Sequence, residues 1–142
     1  MTDTGDARKG GCLCGAFRYE AIGVPLFAGL CYCADCRKAS GSGSIPFIGF
    51  TNSAVRFTGQ TRQFKRVADS GREYVHNFCP VCSSMVFGGN VGEAWLNIYA
   101  GSLDDPTLFH PSIAIYTCSR APWVEVPLGL EIFEKLPVLP SQ

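Results

Sequence analysis

The segment FCPVC, residues 78–82, holds two cysteines that are separated by proline and valine. This spacing is typical of a zinc knuckle, a tight turn that presents two sulfurs on one side and directs backbone N–H groups toward them. A closed zinc site has four ligands, and the sequence CLC at residues 12–14 offers a second short pair. A metal ion bound by both pairs would tie the start of the chain to its middle and contribute to the free energy of folding.

The segment CYCADC, residues 31–36, supplies three further cysteines at positions i, i+2 and i+5. Three protein ligands leave the fourth position of a tetrahedral zinc ion open to water or to substrate. A zinc ion with three thiolates carries one negative charge rather than two, and it has room for another soft sulfur ligand. We therefore expect Cys31, Cys33 and Cys36 to hold a catalytic zinc ion that accepts a thiol.

The spacing alone leaves open how the cysteines divide between metal ions. One division joins the CLC pair to Cys79 and Cys82, and another joins Cys31 and Cys33 to Cys79 and Cys82. A single zinc ion with spare buried cysteines, or a redox CxxC at 33–36 or 79–82, would also account for the motifs. The CxC pairs and the lack of a βαβ pattern disfavour a thioredoxin-like redox site.

Composition places the chain among soluble globular proteins. Of its 142 residues, 46% are hydrophobic and 17% are charged, so we expect a packed core and assign residues 1–142 to one domain. Basic and acidic residues balance, which disfavours binding to nucleic acid or to an anionic membrane surface. No apolar run approaches the roughly 18 residues of a membrane span, and the polar start is unlike a secretory signal. In the reducing cytoplasm that these features predict, clustered cysteines more often bind metal than form disulfides.

Glycine and proline are spread along the whole chain and punctuate short apolar or alternating segments. This pattern predicts a mainly β fold of stacked sheets or a barrel, with little helix. The predicted strands are residues 16–22, 45–50, 54–57, 61–67, 72–78, 85–87, 94–100 and 112–118. Two short helices are predicted, at residues 34–40 and 129–136.

Four segments, in order along the chain, resemble one known family: GGCLCGAFRY, CYCADCRKASGS, FCPVCSS and SRAPWVEV. They are similar to the glutathione-dependent formaldehyde-activating enzyme family, also called the centromere protein V family, among the Mss4-like zinc proteins. The resemblance extends over about residues 10–133 and implies an Mss4-like fold of stacked, mostly antiparallel sheets. It also implies a structural zinc ion on Cys12, Cys14, Cys79 and Cys82 and a catalytic zinc ion on the CYCADC cysteines.

The resemblance implies an activity as well: the condensation of formaldehyde with glutathione to S-hydroxymethylglutathione, a carbon–sulfur lyase reaction. The expected partners are therefore a small thiol and a small aldehyde, and the thiol would bind the open zinc ion as thiolate. Arg37 directly follows Cys36, and we expect it to contact a glutathione carboxylate. Lys38 and Arg120 are equally well explained as solvated charges. Another aldehyde or thiol, or a non-catalytic zinc-binding interaction module on the same fold, is the alternative.

The sequence departs from the family pattern at two positions. Ser83 follows Cys82 where glycine is usual, so a residue with a Cβ must make the last turn of the knuckle. Tyr32 stands where histidine is common, which removes a titratable group from beside the metal ligands.

The remaining candidate residues receive no firm role from the sequence. His76 alternates with apolar residues on a predicted strand, which favours an ordinary core or surface histidine. His110 lies in a turn before proline, and nothing directs it to the site. Cys118 ends a predicted strand, where a buried small apolar side chain is expected. Residues 40–47 join flexible glycines to an apolar strand, which predicts the edge of a substrate pocket.

Overall fold

The computed structural model describes residues 3–137, and within that range the chain forms eleven β-strands and one short α-helix. The strands are β1 (Arg8–Gly11), β2 (Arg18–Ala21), β3 (Phe27–Cys31), β4 (Ile45–Thr51), β5 (Val55–Thr58), β6 (Arg62–Val67), β7 (Glu73–Phe78), β8 (Met85–Gly88), β9 (Trp95–Tyr99), β10 (Ile113–Ile115) and β11 (Glu131–Ile132); the helix is α1 (Ala34–Ser40). No helix in the described range is long and apolar enough to cross a membrane.

The strands of this range form two sheets. The small sheet has the order β1-β2-β5, and the large sheet has the order β11-β10-β3-β4-β9-β8-β7-β6. All paired strands are antiparallel except β10, which lies parallel to both β3 and β11. The predicted mainly β fold of stacked sheets is therefore confirmed, with a parallel edge that the sequence pattern did not indicate.

The two sheets pack through a shared apolar core. Because side chains alternate along a strand, Ile48 and Phe50 of β4 lie on the same face of the large sheet and join the buried cluster of the small sheet. Phe57 of β5 stacks on Phe87 of β8 with ring centroids 4.8 Å apart, and Phe17 lies within 5.9 Å of Phe87. Burial of these aromatic rings contributes to the apolar packing that holds the sheets together.

The opposite face of the large sheet carries a second apolar cluster. It contains Ile45 and Phe47 of β4, Tyr99 of β9 and Ile115 of β10, together with Cys31 and Cys36. The CYCADC cysteines therefore lie on the face of the large sheet that does not meet the small sheet.

The predicted helix at residues 34–40 has those bounds in the structure. The Cys33 sulfur caps its first turn by accepting a hydrogen bond from the Cys36 N–H at 3.1 Å. Gly41, with φ of 70°, ends the helix in the left-handed conformation that glycine adopts without strain.

The predicted helix at residues 129–136 is wrong. Residues 131 and 132 form β11, and the Glu131 and Phe133 N–H groups donate to the Ser112 and Ala114 carbonyls. The open edge of β10 satisfies these backbone groups, and this tertiary pairing overrides a weak local helical preference.

All eight predicted strands overlap observed strands, but β1, β3 and β11 were not predicted. β1 and β3 contain Gly10, Gly11 and Gly29, which lower strand propensity. A Cβ on Gly29 would lie 2.6 Å from the Ile113 side chain and 2.9 Å from the Phe47 ring. Glycine is needed there because neighbouring side chains occupy the space, and that requirement is visible only in the assembled sheet.

Candidate metal centres

Four sulfurs meet where the β1–β2 turn of the small sheet faces the β7–β8 turn of the large sheet. These belong to Cys12, Cys14, Cys79 and Cys82, called here the four-cysteine group, and all lie within 4.8 Å of one another. The Cys12 and Cys14 sulfurs are 3.6 Å apart, and those of Cys14 and Cys79 are 3.7 Å apart. A tetrahedron with zinc–sulfur bonds of 2.3 Å has edges of about 3.8 Å, so the donor set fits a zinc ion.

Backbone N–H groups support these sulfurs. The Phe17 N–H donates to Cys12 Sγ at 3.3 Å, and the Val81 N–H donates to Cys79 Sγ at 3.4 Å. Such N–H to sulfur hydrogen bonds offset thiolate charge, as expected for a zinc knuckle. Ser83 has a φ of 66°, so the last turn of the knuckle is made in the left-handed conformation by a residue with a Cβ, as the sequence predicted.

Ser84 joins the two turns of the four-cysteine group, and sequence reasoning missed it. Its hydroxyl accepts a hydrogen bond from the Leu13 N–H at 3.1 Å and lies 3.2 Å from Cys82 Sγ. Because the hydroxyl donates to the sulfur, it lowers the pKa of Cys82 to about 5. Ser84 therefore favours the thiolate that a metal ion requires.

Three further sulfurs, those of Cys31, Cys33 and Cys36, form the three-cysteine group and also lie within 4.8 Å of one another. Cys31 ends β3, Cys33 caps α1 and Cys36 lies in its first turn, so one strand end and one helix start place all three. The Cys31 and Cys36 sulfurs are 3.2 Å apart and buried, whereas Cys33 is only partly buried. The group is therefore open on the side of Cys33.

The structure thus separates Cys31 and Cys33 from Cys79 and Cys82, and the sulfurs fall into the two groups that the resemblance implies. All eight cysteines, which lie within residues 3–137, are free thiols.

The expectation that Cys118 is buried is wrong: β10 ends at Ile115, and Cys118 lies exposed in the following turn. The turn begins at Tyr116, whose φ of 55° takes the chain out of the sheet.

A chain of polar side chains lies on the same face of the large sheet as the three-cysteine group. Asp35 of α1 accepts a hydrogen bond from Arg66 Nη1 at 3.1 Å, and Arg66 Nε donates to His76 Nε2 at 3.1 Å. His76 Nδ1 lies 2.8 Å from the Tyr99 hydroxyl, and the Tyr99 and Tyr74 hydroxyls are 3.3 Å apart. We call Arg66, His76, Tyr99 and Tyr74 the polar chain.

His76 is 2% exposed, so it lies in the core, but it is hydrogen-bonded through both ring nitrogens. Burial lowers the pKa of His76 to about 4, and the positive charge of Arg66 acts in the same direction. The imidazole is therefore neutral near pH 7. Both ring nitrogens of His76 are used in these hydrogen bonds, so the residue is a core histidine, as the sequence indicated, and not a metal ligand.

Arg66 is the cation that the structure places beside the three-cysteine group, and its side chain is 16% exposed. Hydrogen bonds from Cys31 and Cys36 lower the pKa of Cys33, and the charge of Arg66 lowers it further. Sequence reasoning missed Arg66 because no local motif marks it: four strands separate β6 from β3 in the sheet, and Arg66 approaches the group through its contact with Asp35 of α1.

The cations singled out in the sequence have different surroundings. Arg37 Nε is buried and has no hydrogen-bond partner among residues 3–137, so it keeps an unsatisfied donor. Lys38 is exposed, and Arg120 donates to the Val124 carbonyl.

His110 is half-buried before Pro111. Tyr32 is buried, and its hydroxyl donates to the Glu125 carbonyl at 3.5 Å.

A cavity of about 510 Å³ lies between the two cysteine groups. The segment predicted as a pocket edge, residues 40–47, supplies part of its wall. Tyr99 and Ile45 connect the cavity to the apolar cluster of the three-cysteine group. Hydroxyl groups dominate its polar lining, and they come from Ser40, Ser42, Ser44, Ser83, Ser84 and Ser102.

Comparison with known proteins identifies relatives of this chain. The family model described as glutathione-dependent formaldehyde-activating enzyme matches residues 7–119. A crystal structure of a Rhodobacter sphaeroides protein is similar with a TM-score of 0.52 and 19% sequence identity, covering 68% of this chain and 87% of that chain. This likeness concerns the fold alone. No curated protein shows significant similarity to the chain.

Proposed function

The chain belongs to the glutathione-dependent formaldehyde-activating enzyme family, and on that premise we propose that it is a carbon–sulfur lyase acting at the three-cysteine group. It would join the carbonyl carbon of formaldehyde, or of a related small aldehyde, to the sulfur of glutathione or another thiol. The observation that carries this proposal is the open arrangement of three clustered sulfurs, with Cys33 on the accessible side.

Both cysteine groups fit zinc, because their donors are thiols within bonding reach of one ion and backbone N–H groups support the sulfurs. In the proposal, the four-cysteine group is a closed structural site. The three-cysteine group would hold the catalytic ion, which when bound favours the thiolate form of a thiol and polarises an oxygen atom. Cys31, Cys33 and Cys36 are the residues that would hold it.

The residues around the three-cysteine group would bind and orient the substrates. Glutathione carries two carboxylates, and Arg66 and the unsatisfied Arg37 Nε are cations that can attract them. In the reaction the thiol loses its proton, its sulfur forms a bond to the carbonyl carbon, and the oxygen takes up a proton. The thiol and the aldehyde together contain all the atoms of the hydroxymethyl thioether, so no oxidant or reductant is needed.

Exchange NMR on a mixture of formaldehyde and glutathione tests this function. We expect the wild-type protein, loaded with two zinc ions, to accelerate interconversion with the adduct above the uncatalysed rate. Cys33→Ser should remove the acceleration and one zinc ion while the protein stays folded. Cys118→Ser is the matched control, because Cys118 is an exposed thiol outside both groups and its loss should change neither rate nor metal content.

The proposal fails if fully loaded wild-type protein leaves the exchange rate at its uncatalysed value. The assignment of the site to Cys31, Cys33 and Cys36 fails if Cys33→Ser keeps two zinc ions and full activity.

A second candidate is a non-catalytic interaction module, and one observation favours it. Leu13 and Val81, at the tips of the two turns of the four-cysteine group, are 89% and 74% exposed. Contiguous exposed apolar patches mark protein-binding surfaces, and these two side chains would contribute to such a patch. A module of this kind would hold both metal ions equally inertly, whereas a catalyst would exchange the ion of its open site.

A further inference from the structure

Arg66, the first residue of the polar chain, determines which atoms donate and which accept along the chain of hydrogen bonds. Arg66 Nε is only a donor, so His76 Nε2 must accept. Burial keeps His76 neutral, and its single ring proton therefore lies on Nδ1. That proton is donated to the Tyr99 hydroxyl oxygen, 2.8 Å away. The Tyr99 hydroxyl thus serves His76 as an acceptor and keeps its own proton for another partner.

The two tyrosine hydroxyls at the end of the polar chain carry two protons, and the observed hydrogen bonds use only one of them. Their mutual contact at 3.3 Å uses one of the two O–H groups. The other makes no hydrogen bond to residues 3–137 in the structure. The Asn97 side chain neighbours the Tyr74 hydroxyl, but its Oδ1 accepts no hydrogen bond from the described residues. One hydroxyl proton is therefore not committed to a partner, and either Asn97 Oδ1 or the oxygen atom of a ligand can accept it.

The fold makes room for this pair of hydroxyls at Gly88. In β8, Gly88 pairs with His76 on one side and with Asn97 on the other. A Cβ at this position would lie 2.7 Å from the Tyr99 hydroxyl oxygen and closer still to that of Tyr74. The hydroxyls thus occupy the space that a side chain at Gly88 would fill.

Tyr99 connects the pair to the three-cysteine group and to the cavity. Tyr99 packs in one buried cluster with Cys31 and Cys36, and it also lines the cavity between the cysteine groups. Burial raises the pKa of Tyr74 to about 12, and the charges of Cys36 and Cys31 act in the same direction. The shared cluster places the Tyr99 side chain beside the three-cysteine group.

We propose that the paired Tyr74 and Tyr99 hydroxyls bind the oxygen atom of the aldehyde substrate, and that the O–H group not used between them donates a hydrogen bond to it as the carbon–sulfur bond forms. This inference rests on the proposed function and assigns to these residues the recognition of the oxygen. As the thiol sulfur bonds to the carbonyl carbon, the π-electron pair moves to the oxygen. The proton released from the thiol ends on that oxygen, so the step balances.

Donors fixed before the reaction stabilise the developing charge without having to reorient. The polar chain provides this fixation: His76 holds the Tyr99 oxygen, and the Arg66 guanidinium lies over the Tyr74 ring, with Cζ 4.9 Å from the ring centroid. Tyr74 and Tyr99 are therefore catalytic residues in this proposal, and His76 and Arg66 are positioning residues.

Tyr74→Phe and Tyr99→Phe test the proposal, with Tyr116→Phe as the matched control. Tyr116 also packs against the apolar cluster of the three-cysteine group, but its hydroxyl lies outside the polar chain. The loss of one donor to the reacting oxygen should lower kcat on the order of a hundredfold. The KM for the thiol and the zinc content should not change, because the hydroxyls contact the aldehyde oxygen alone. Tyr116→Phe should retain the wild-type kcat.

The outcomes separate this proposal from the proposed function. If wild-type protein does not accelerate the exchange, the proposed function falls and this assignment falls with it. If wild type is active and both variants match Tyr116→Phe, only the assignment of the hydroxyls is wrong. Should Tyr99→Phe lose zinc, Tyr74→Phe decides, since Tyr74 is half-buried and phenylalanine retains its ring under Arg66. A raised thiol KM with unchanged kcat would also overturn the proposal.

Discussion

At the scale of single residues, short polar contacts determine how the cysteine groups are supported. Ser84 connects the two turns of the four-cysteine group, and the Cys36 N–H supports the Cys33 sulfur. Ser83 differs from these residues. Its side chain makes no hydrogen bond to the described residues, and its backbone has the left-handed conformation. A residue with a Cβ adopts this conformation at a cost of roughly 1–2 kcal/mol.

Ser83→Gly should therefore stabilise the protein. Glycine relieves the left-handed strain but loses more backbone entropy on folding, so we expect a net gain of about 0.5 kcal/mol. Denaturant unfolding of the zinc-loaded protein measures the change. Ser53→Gly is the control, since Ser53 is an exposed turn serine with negative φ and its replacement should lower stability. If Ser83→Gly lowers the free energy of unfolding, the left-handed backbone at Ser83 is not strained.

At the scale of elements, α1 places two candidate metal ligands, Cys33 and Cys36, beside the sheet. The helix has only seven residues, so its own hydrogen bonds contribute little and its first turn depends on the cap. Cys33 provides that cap through its sulfur, and Asp35 of the same turn binds Arg66 of β6. One helical turn therefore serves both as a ligand platform and as an anchor of the polar chain.

Cys33→Ser and Cys33→Ala should differ in stability although both lack the third sulfur. Serine is among the preferred N-cap residues, and its hydroxyl can accept the Cys36 N–H, whereas alanine cannot. We expect Cys33→Ala to be less stable by about 1 kcal/mol in denaturant unfolding. Because neither variant retains the three-cysteine group, the comparison is free of the metal contribution. Equal unfolding midpoints would show that the cap is not needed.

At the scale of the whole molecule, the two cysteine groups have different positions relative to the core. The four-cysteine group joins a turn of the small sheet to a turn of the large sheet, so it crosses the interface between them. The three-cysteine group belongs to the large sheet and the helix that follows β3. A metal ion bound by the first group would therefore tie the two sheets to each other, whereas the second group lies on a face that the sheet interface leaves open.

Gradual chelation should remove the two zinc ions in sequence. The open three-cysteine group should release its ion first with little change in circular dichroism, and the loss of the second ion should coincide with unfolding. Metal analysis during the titration measures the order in which the two zinc ions are released. The Cys33→Ser variant should release only the later ion, the one held by the four-cysteine group. Unfolding at the first equivalent would contradict the structural role of the four-cysteine group. Equal inertness of both ions would favour the interaction module.

The sequence by itself determined the features that depend on near neighbours. The cysteine motifs, the knuckle turn with Ser83, helix α1 and eight strand positions followed from spacing, turn residues and local patterning. The tertiary structure decided which sulfurs meet, why β11 is a strand, and how Arg66 and His76 reach the two tyrosines across β6, β7 and β9. It also decided that Gly88 leaves room for the tyrosine hydroxyls. Local rules describe preferences along the chain, whereas these contacts join residues that only strand pairing brings together.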